Sequence, residues 1–252
     1  MKLMKSLAAA ALVALLPIAT TVSAAEISGK KITLPATERQ VNVTYFRAPG
    51  DGKRPAVLLL HGGGGFDRRI ADYNHYASVL ANEGFDAYLF YYYSDLDEKL
   101  MGFGGADVFT TRYPAWAKQV DDAADYLIMQ KDSNGKVGLV GFSNGGILAT
   151  GASTLDPRIN AAVIYYGTEP WPLREKAKRF PPLLVLHGDA DRTIPIENGR
   201  QLTELAKSLG GKVDFVVYPG EQHGFGADTS KKNGADALQR TVTFLKRELQ
   251  GK

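Results

Sequence analysis

Gly141-Phe142-Ser143-Asn144-Gly145-Gly146 follows the apolar run Val137-Gly138-Leu139-Val140 and precedes the helix-like run Ile147-Leu148-Ala149-Thr150. A strand that turns sharply into a helix, with Ser at the apex and Gly two residues to either side, is the arrangement that projects a serine Oγ from a sheet as a nucleophile. The glycines have a physical purpose. The Ser backbone must be strained to aim its side chain, and side chains at the flanking positions would collide with the neighbouring strand and helix. The competing reading is a Gly-rich turn carrying an ordinary Ser. What lies up and down the chain decides between them.

Downstream of residue 25 the pattern alternates. Glu26 to Arg47 suits two half-buried strands joined by a turn at Pro35–Gln40. Pro55 to His61 is a continuous apolar run, as expected of a strand buried on both faces, and ends in Gly62-Gly63-Gly64-Gly65. Residues 70–83 have helical spacing, 85–93 read as a strand, 145–155 as a helix and 159–166 as a strand. Leu183 to His187 is a strand, 196–209 a helix, 213–218 a strand and 235–249 a final helix. Ser94 to Pro114 is read as a long irregular section, a lid or binding loop, or in part a short surface helix. Pro114 is expected to open a helix whose inner face is Trp116, Val120, Ala123, Ala124 and Leu127. Strands alternating with helices argue for an α/β fold, a largely parallel sheet covered on both faces, in one domain over residues 26–252.

The chain opens with Lys2 and Lys5, an apolar run from Leu7 to Ile18, and small residues ending in Ala24-Ala25. This reads as a secretory signal peptide over residues 1–25, cleaved near Ala24 or Ala25 and directing the protein to the periplasm or outside the cell. The run is too short to span a membrane comfortably. The formal net charge of the whole chain is +3, and the first 25 residues hold two Lys and no acid, so the remainder carries +1. Neither a nucleic-acid nor a membrane partner is implied. There are no cysteines, hence no thiolate for catalysis or metal binding. None of His61, His75, His187 and His223 pairs with another at metal-ligand spacing, and no metal or other cofactor is expected.

A serine hydroxyl needs a general base, and the base needs a third group to set its tautomer. In an open α/β sheet such residues gather at the carboxyl ends of strands. His223 follows the strand 213–218 in a Gly-flanked loop and is read as the base. His61 and His187 end strands and are read as hydrogen-bonding loop backbone, while His75 falls in a helix. The acid lies in His187-Gly188-Asp189-Ala190-Asp191-Arg192-Thr193-Ile194-Pro195. Spacing leaves Asp189 and Asp191 both open, since one could orient the His while the other caps the following helix. Oxyanion donors are expected from the backbone N–H of Asn144 and from the Gly62–Gly65 run at Gly63. That run lacks the Gly-Lys-Ser/Thr of a phosphate-binding loop.

The elbow, the block His187-Gly188-x-x-Asp191-x-x-Ile194-Pro195 and His223-Gly224-Phe225, in that order, resemble the dienelactone hydrolase-like family of α/β hydrolases. The resemblance implies the α/β-hydrolase fold, with about eight mostly parallel strands and no large cap domain, and it selects Asp191 as the acid. It implies a hydrolase acting on a small-molecule carboxylic ester or lactone. Dienelactone hydrolases proper carry Cys at the elbow where this chain has Ser143, which leaves the substrate open. A serine peptidase or acyltransferase shares the same triad, and a non-catalytic binding protein is the other alternative. Phe66, Phe103, Phe142 and Trp171 read equally well as pocket lining or core, and Arg68, Arg69 and Arg112 as surface charges.

Overall fold

The computed structural model describes residues 26–170 and 173–251; the expected signal segment, Trp171 and the Phe103 side chain lie outside the described residues. Eight strands form one sheet: β1 (Lys30–Leu34), β2 (Val41–Phe46), β3 (Arg54–Leu60), β4 (Asp86–Phe90), β5 (Ser133–Phe142), β6 (Ile159–Tyr165), β7 (Leu183–Gly188) and β8 (Val213–Tyr218). Their order across the sheet is β1-β2-β4-β3-β5-β6-β7-β8. The pairings of β2 with β1 and β4 are antiparallel, and all the others are parallel. This is the eight-stranded, mostly parallel sheet that the family resemblance implies.

Alternation along the strands builds two cores. Val57 and Leu59 of β3, Val140 and Phe142 of β5 and Val163 of β6 face one side. There they meet Tyr76 and Leu80 of α1 (Ile70–Asn82) and Leu238 and Leu245 of the helix Lys232–Leu245. Leu58, Leu139 and Ile164 face the other side. They pack on Trp116 and Val120 of α2 (Asp95–Ile128), Leu148 of α3 (Asn144–Leu155) and Leu202 of the helix Ile196–Ser208. With helices on both faces, the central strands are buried along both rows, which is why they read as continuous apolar runs. Register brings Leu60 beside Gly141, Phe142 beside Tyr165, and Gly188 beside Tyr218. The carboxyl ends of β3, β5, β6, β7 and β8 therefore finish along one edge of the molecule.

The segment 94–114 differs from its expectation. It is helical, and Pro114 lies inside α2 rather than at its start. Ser94 Oγ accepts from the Asp97 N–H at 3.2 Å while Asp97 Oδ2 accepts from the Ser94 N–H at 2.9 Å, a reciprocal cap that starts the helix. Gly105, at φ 44 and ψ −104, kinks it into two arms. The glycines there obscure the helical pattern in the sequence, because Gly is a poor helix former, and the kink itself requires one. The fully buried Asp97 carboxylate joins the arms, accepting also from Arg112 Nε at 2.7 Å and Trp116 Nε1 at 3.1 Å. The predicted inner face, Trp116, Val120, Ala123, Ala124 and Leu127, is buried.

Burial alone would raise the Asp97 pKa, but the Ser94, Trp116 and Arg112 hydrogen bonds outweigh it and hold the carboxyl below its ordinary value. Its folded pKa is thus below the unfolded one. Its stabilisation is present above about pH 4 and is lost as pH falls through the depressed value. Asp97→Ala should cost about 2–3 kcal/mol at pH 7 and less at pH 3, measured by chemical denaturation of both forms at both pH values.

Candidate active site

Ser143 sits between β5 and α3 at φ 54 and ψ −117, a strained conformation for a residue with a side chain. Its N–H donates to Tyr165 O at 3.0 Å, and its carbonyl accepts from the Ile147 N–H at 3.0 Å, so the strained unit keeps its backbone bonds. The flanking glycines are steric necessities. A Cβ at Gly141 would overlap the Gly145 carbonyl, and one at Gly145 would overlap the Leu60 carbonyl. Strand β3, the elbow and the first turn of α3 can close up only because both side chains are missing.

Ser143 Oγ lies 2.8 Å from His223 Nε2, and His223 Nδ1 lies 2.8 Å from Asp191 Oδ2. A carboxylate only accepts, so Nδ1 carries the proton and Nε2 is free to accept from the serine hydroxyl. Asp191 has a fully buried side chain. Its second oxygen, Oδ1, accepts the N–H groups of Thr193 at 2.8 Å and Ile194 at 2.9 Å, which locks the carboxylate plane. The geometry separates the two aspartates that spacing left open. The exposed Asp189 accepts from the Gly220 N–H at 2.6 Å and ties the turn after β8, which leads into the His223 loop, to the acid loop.

His61 and His187 hold loops, as their positions suggest. His61 Nδ1 is 2.8 Å from Gly62 O, and the buried ring stacks on Tyr92 at 4.1 Å and 11°. Tyr92 in turn donates to His61 O at 2.7 Å, so the start of the glycine loop is clamped from both sides. His187 Nε2 donates to Ile194 O at 2.8 Å and stands 3.5 Å from Asp191 Oδ2, bracing the acid from beneath. Its Nδ1 is buried without a partner among the described residues. His75 is exposed on α1.

Tyr166 is a site residue that sequence reasoning missed. It is buried, has φ 39, and sets its ring edge to face against the His223 imidazole with centroids 4.8 Å apart. Strain of about 1–3 kcal/mol at such a residue persists only when its surroundings hold it. A tyrosine at the end of an apolar run carries no signal of that backbone conformation. Phe66 and Phe142 prove to be core, packed edge to face on Tyr73. Arg112 and Arg69 are committed to ion pairs, the latter with Asp72 and Asp228.

A cleft of about 430 Å³ lies beside the site, walled by Gly63, Gly65, Arg68 and Tyr93 and roofed by Glu98 and Met101 from the first arm of α2. A larger groove, about 700 Å³, runs between α2 and α3 past Tyr113, Ala152 and Leu155. It lies toward the other end of α3 and contains no residue of the Ser143 constellation, so size does not mark the site. Among the described residues no cluster of three or more His, Asp or Glu could hold a metal ion. No described helix is long and apolar enough to cross a membrane.

The model of the dienelactone hydrolase family matches residues 43–249, and the chain belongs to that family. A carboxymethylenebutenolidase homolog of Xenopus tropicalis is 33% identical over 95 residues, 36% of this chain and 37% of its own. The chain spans less than half the length of the first curated relatives it matches, 40% and 48%. Among solved structures, a dienelactone hydrolase from Anabaena variabilis has TM-score 0.71 at 22% identity, covering 89% of this chain and all of that one. An acylaminoacyl peptidase from Pyrococcus horikoshii also has TM-score 0.71, at 14% identity, covering 90% of this chain and 43% of that one. At these identities the likeness is one of fold.

Burial lowers the His61 pKa to about 4, against the opposing effect of its bond to the Gly62 carbonyl. The unfolded chain therefore takes up this proton first, and stability should fall as pH drops from 6.5 toward 4. Ring-nitrogen shifts of His61, followed by NMR, should stay those of a neutral imidazole from pH 8 down to 5.

Proposed function

We propose that the protein is an exported serine hydrolase that cleaves a small carboxylic ester or lactone through an acyl-enzyme. Ser143 Oγ attacks the carbonyl carbon while His223 Nε2 takes its proton; Asp191 holds the imidazole in the tautomer this requires and stabilises the imidazolium. The carbonyl oxygen becomes an oxyanion and is received by the backbone N–H groups of Asn144, in the first turn of α3, and Gly63. Collapse of the tetrahedral intermediate breaks the C–O bond, and His223 gives its proton to the leaving alcohol. Water then repeats the sequence on the acyl-enzyme, with His223 again as base. In a lactone the leaving oxygen stays tethered to the acyl group, so one open-chain hydroxy acid is the product.

The observation that carries this reading is the unbroken hydrogen-bond chain from Ser143 through His223 to Asp191, mounted on a strained elbow. Family membership supports the ester or lactone as substrate class. The N-terminal segment is the basis for placing the protein in the periplasm or outside the cell. A peptidase reading draws on the likeness in fold to the acylaminoacyl peptidase. A p-nitrophenyl ester should therefore be turned over far faster than a peptide p-nitroanilide, and comparable rates would reverse that ranking.

A fluorophosphonate probe should label Ser143 in the folded protein, with loss of the label and of activity in Ser143→Ala. Absence of label on the wild-type chain would remove the enzyme reading. Asp191→Asn should lower kcat by about 10⁴, because it reverses the His223 tautomer. Asp189→Asn should stay within about tenfold of wild type, since the amide oxygen can still accept the Gly220 N–H and only the charge is lost. Steady-state kinetics on one ester compares them directly, and the opposite order would reassign the acid.

A further inference from the structure

The two proposed oxyanion donors belong to different parts of the chain, Asn144 to the start of α3 and Gly63 to the loop after β3. Hydrogen bonding within each element does not set the distance between them. The Asn144 side chain spans that gap. Its Nδ2 donates to the Tyr93 hydroxyl at 3.3 Å and packs so closely on Gly63 that a Cβ there would stand 3.1 Å from it. Tyr93 is itself held rigidly. It is buried, its ring meets His61 edge to face at 4.6 Å and lies 4.7 Å from Trp116, and it walls the cleft beside Gly63. Burial raises the Tyr93 pKa, so the phenol keeps its proton and its oxygen remains a neutral acceptor.

We propose that Tyr93 is a positioning residue for the oxyanion site: its hydroxyl clamps the Asn144 amide against Gly63 and so sets the spacing of the two backbone donors. The inference rests on the serine-hydrolase reading above. No proton moves to or from Tyr93. Its effect is geometric and is felt when negative charge develops on the carbonyl oxygen, where small displacements of fixed donors are costly. His61, stacked on Tyr92 and touching Tyr93, links the clamp to the strand end that launches the glycine loop.

The test uses Tyr93→Phe and, because it removes the other half of the clamp while keeping the backbone N–H, Asn144→Ala. Each should lower kcat for a p-nitrophenyl ester by about 10- to 100-fold with KM changed by less than about threefold. The double variant should lose no more than the worse single one, as expected of residues acting through one contact. The decisive comparison is a thionoester of the same acid. Sulfur is a poor hydrogen-bond acceptor, so the oxyanion donors contribute little and the Tyr93→Phe loss should shrink to about threefold or less. An equal loss on both esters, or an oxoester kcat within about twofold of wild type for either variant, overturns the proposal. Wild-type labelling by the fluorophosphonate keeps that failure separate from failure of the hydrolase reading.

Discussion

Ser143 is held at a positive φ that a residue with a side chain adopts only under compulsion, and the surrounding structure supplies that compulsion. Its N–H is tied to Tyr165 and its carbonyl to Ile147, while two glycines let β3 and α3 press against the turn from either side. About 1–3 kcal/mol of strain is offset by two fully packed faces of a buried sheet. The result is a hydroxyl aimed out of the sheet with almost no freedom to turn away. Relaxing that backbone would withdraw Oγ from His223 and move the first N–H of α3 together, so both halves of the proposed chemistry rest on one constraint.

Around this point the loops are fixed in pairs. Asp189 and the Gly220 N–H tie the acid loop to the turn leading into the histidine loop, and His187 braces Asp191 from beneath. His61 and Tyr92 clamp the glycine loop, while Tyr166 lays its ring edge against His223. Every one of these residues lies at or just beyond the carboxyl end of a strand. The parallel register of β3, β5, β6, β7 and β8 is what makes a row of separate strand ends into one site.

Much of this was legible in advance. The buried strands announced themselves as apolar runs because both faces of a helix-covered sheet exclude water. The elbow and the histidine loop were legible because tight backbone geometry needs glycine there. The stretch from Ser94 to Pro114 was misjudged for the converse reason. Its three glycines and its proline are local signals against a helix, and what overrides them is a buried carboxylate, Asp97, gathering Ser94, Arg112 and Trp116 from both sides of a kink. That gathering joins residues 15 and 19 positions apart across the kink, a pairing that helical periodicity does not contain.

The amino-acid sequence by itself determined the class of sheet, the strained serine turn, and the order of serine, acid and histidine along the chain. These follow from periodicity and from the backbone freedom of glycine, both local properties. Spacing left two aspartates open and the family resemblance selected Asp191, which the tertiary structure sets against His223; only the tertiary structure decided that Tyr166 bears a positive φ against the imidazole, and that Tyr93 meets Asn144 across the cleft. Asp189 and Asp191 are two residues apart and chemically identical. What separates them is which one the assembled fold buries and brings to His223, 32 residues further on; the Thr193 and Ile194 donors to Asp191 are local to its own loop.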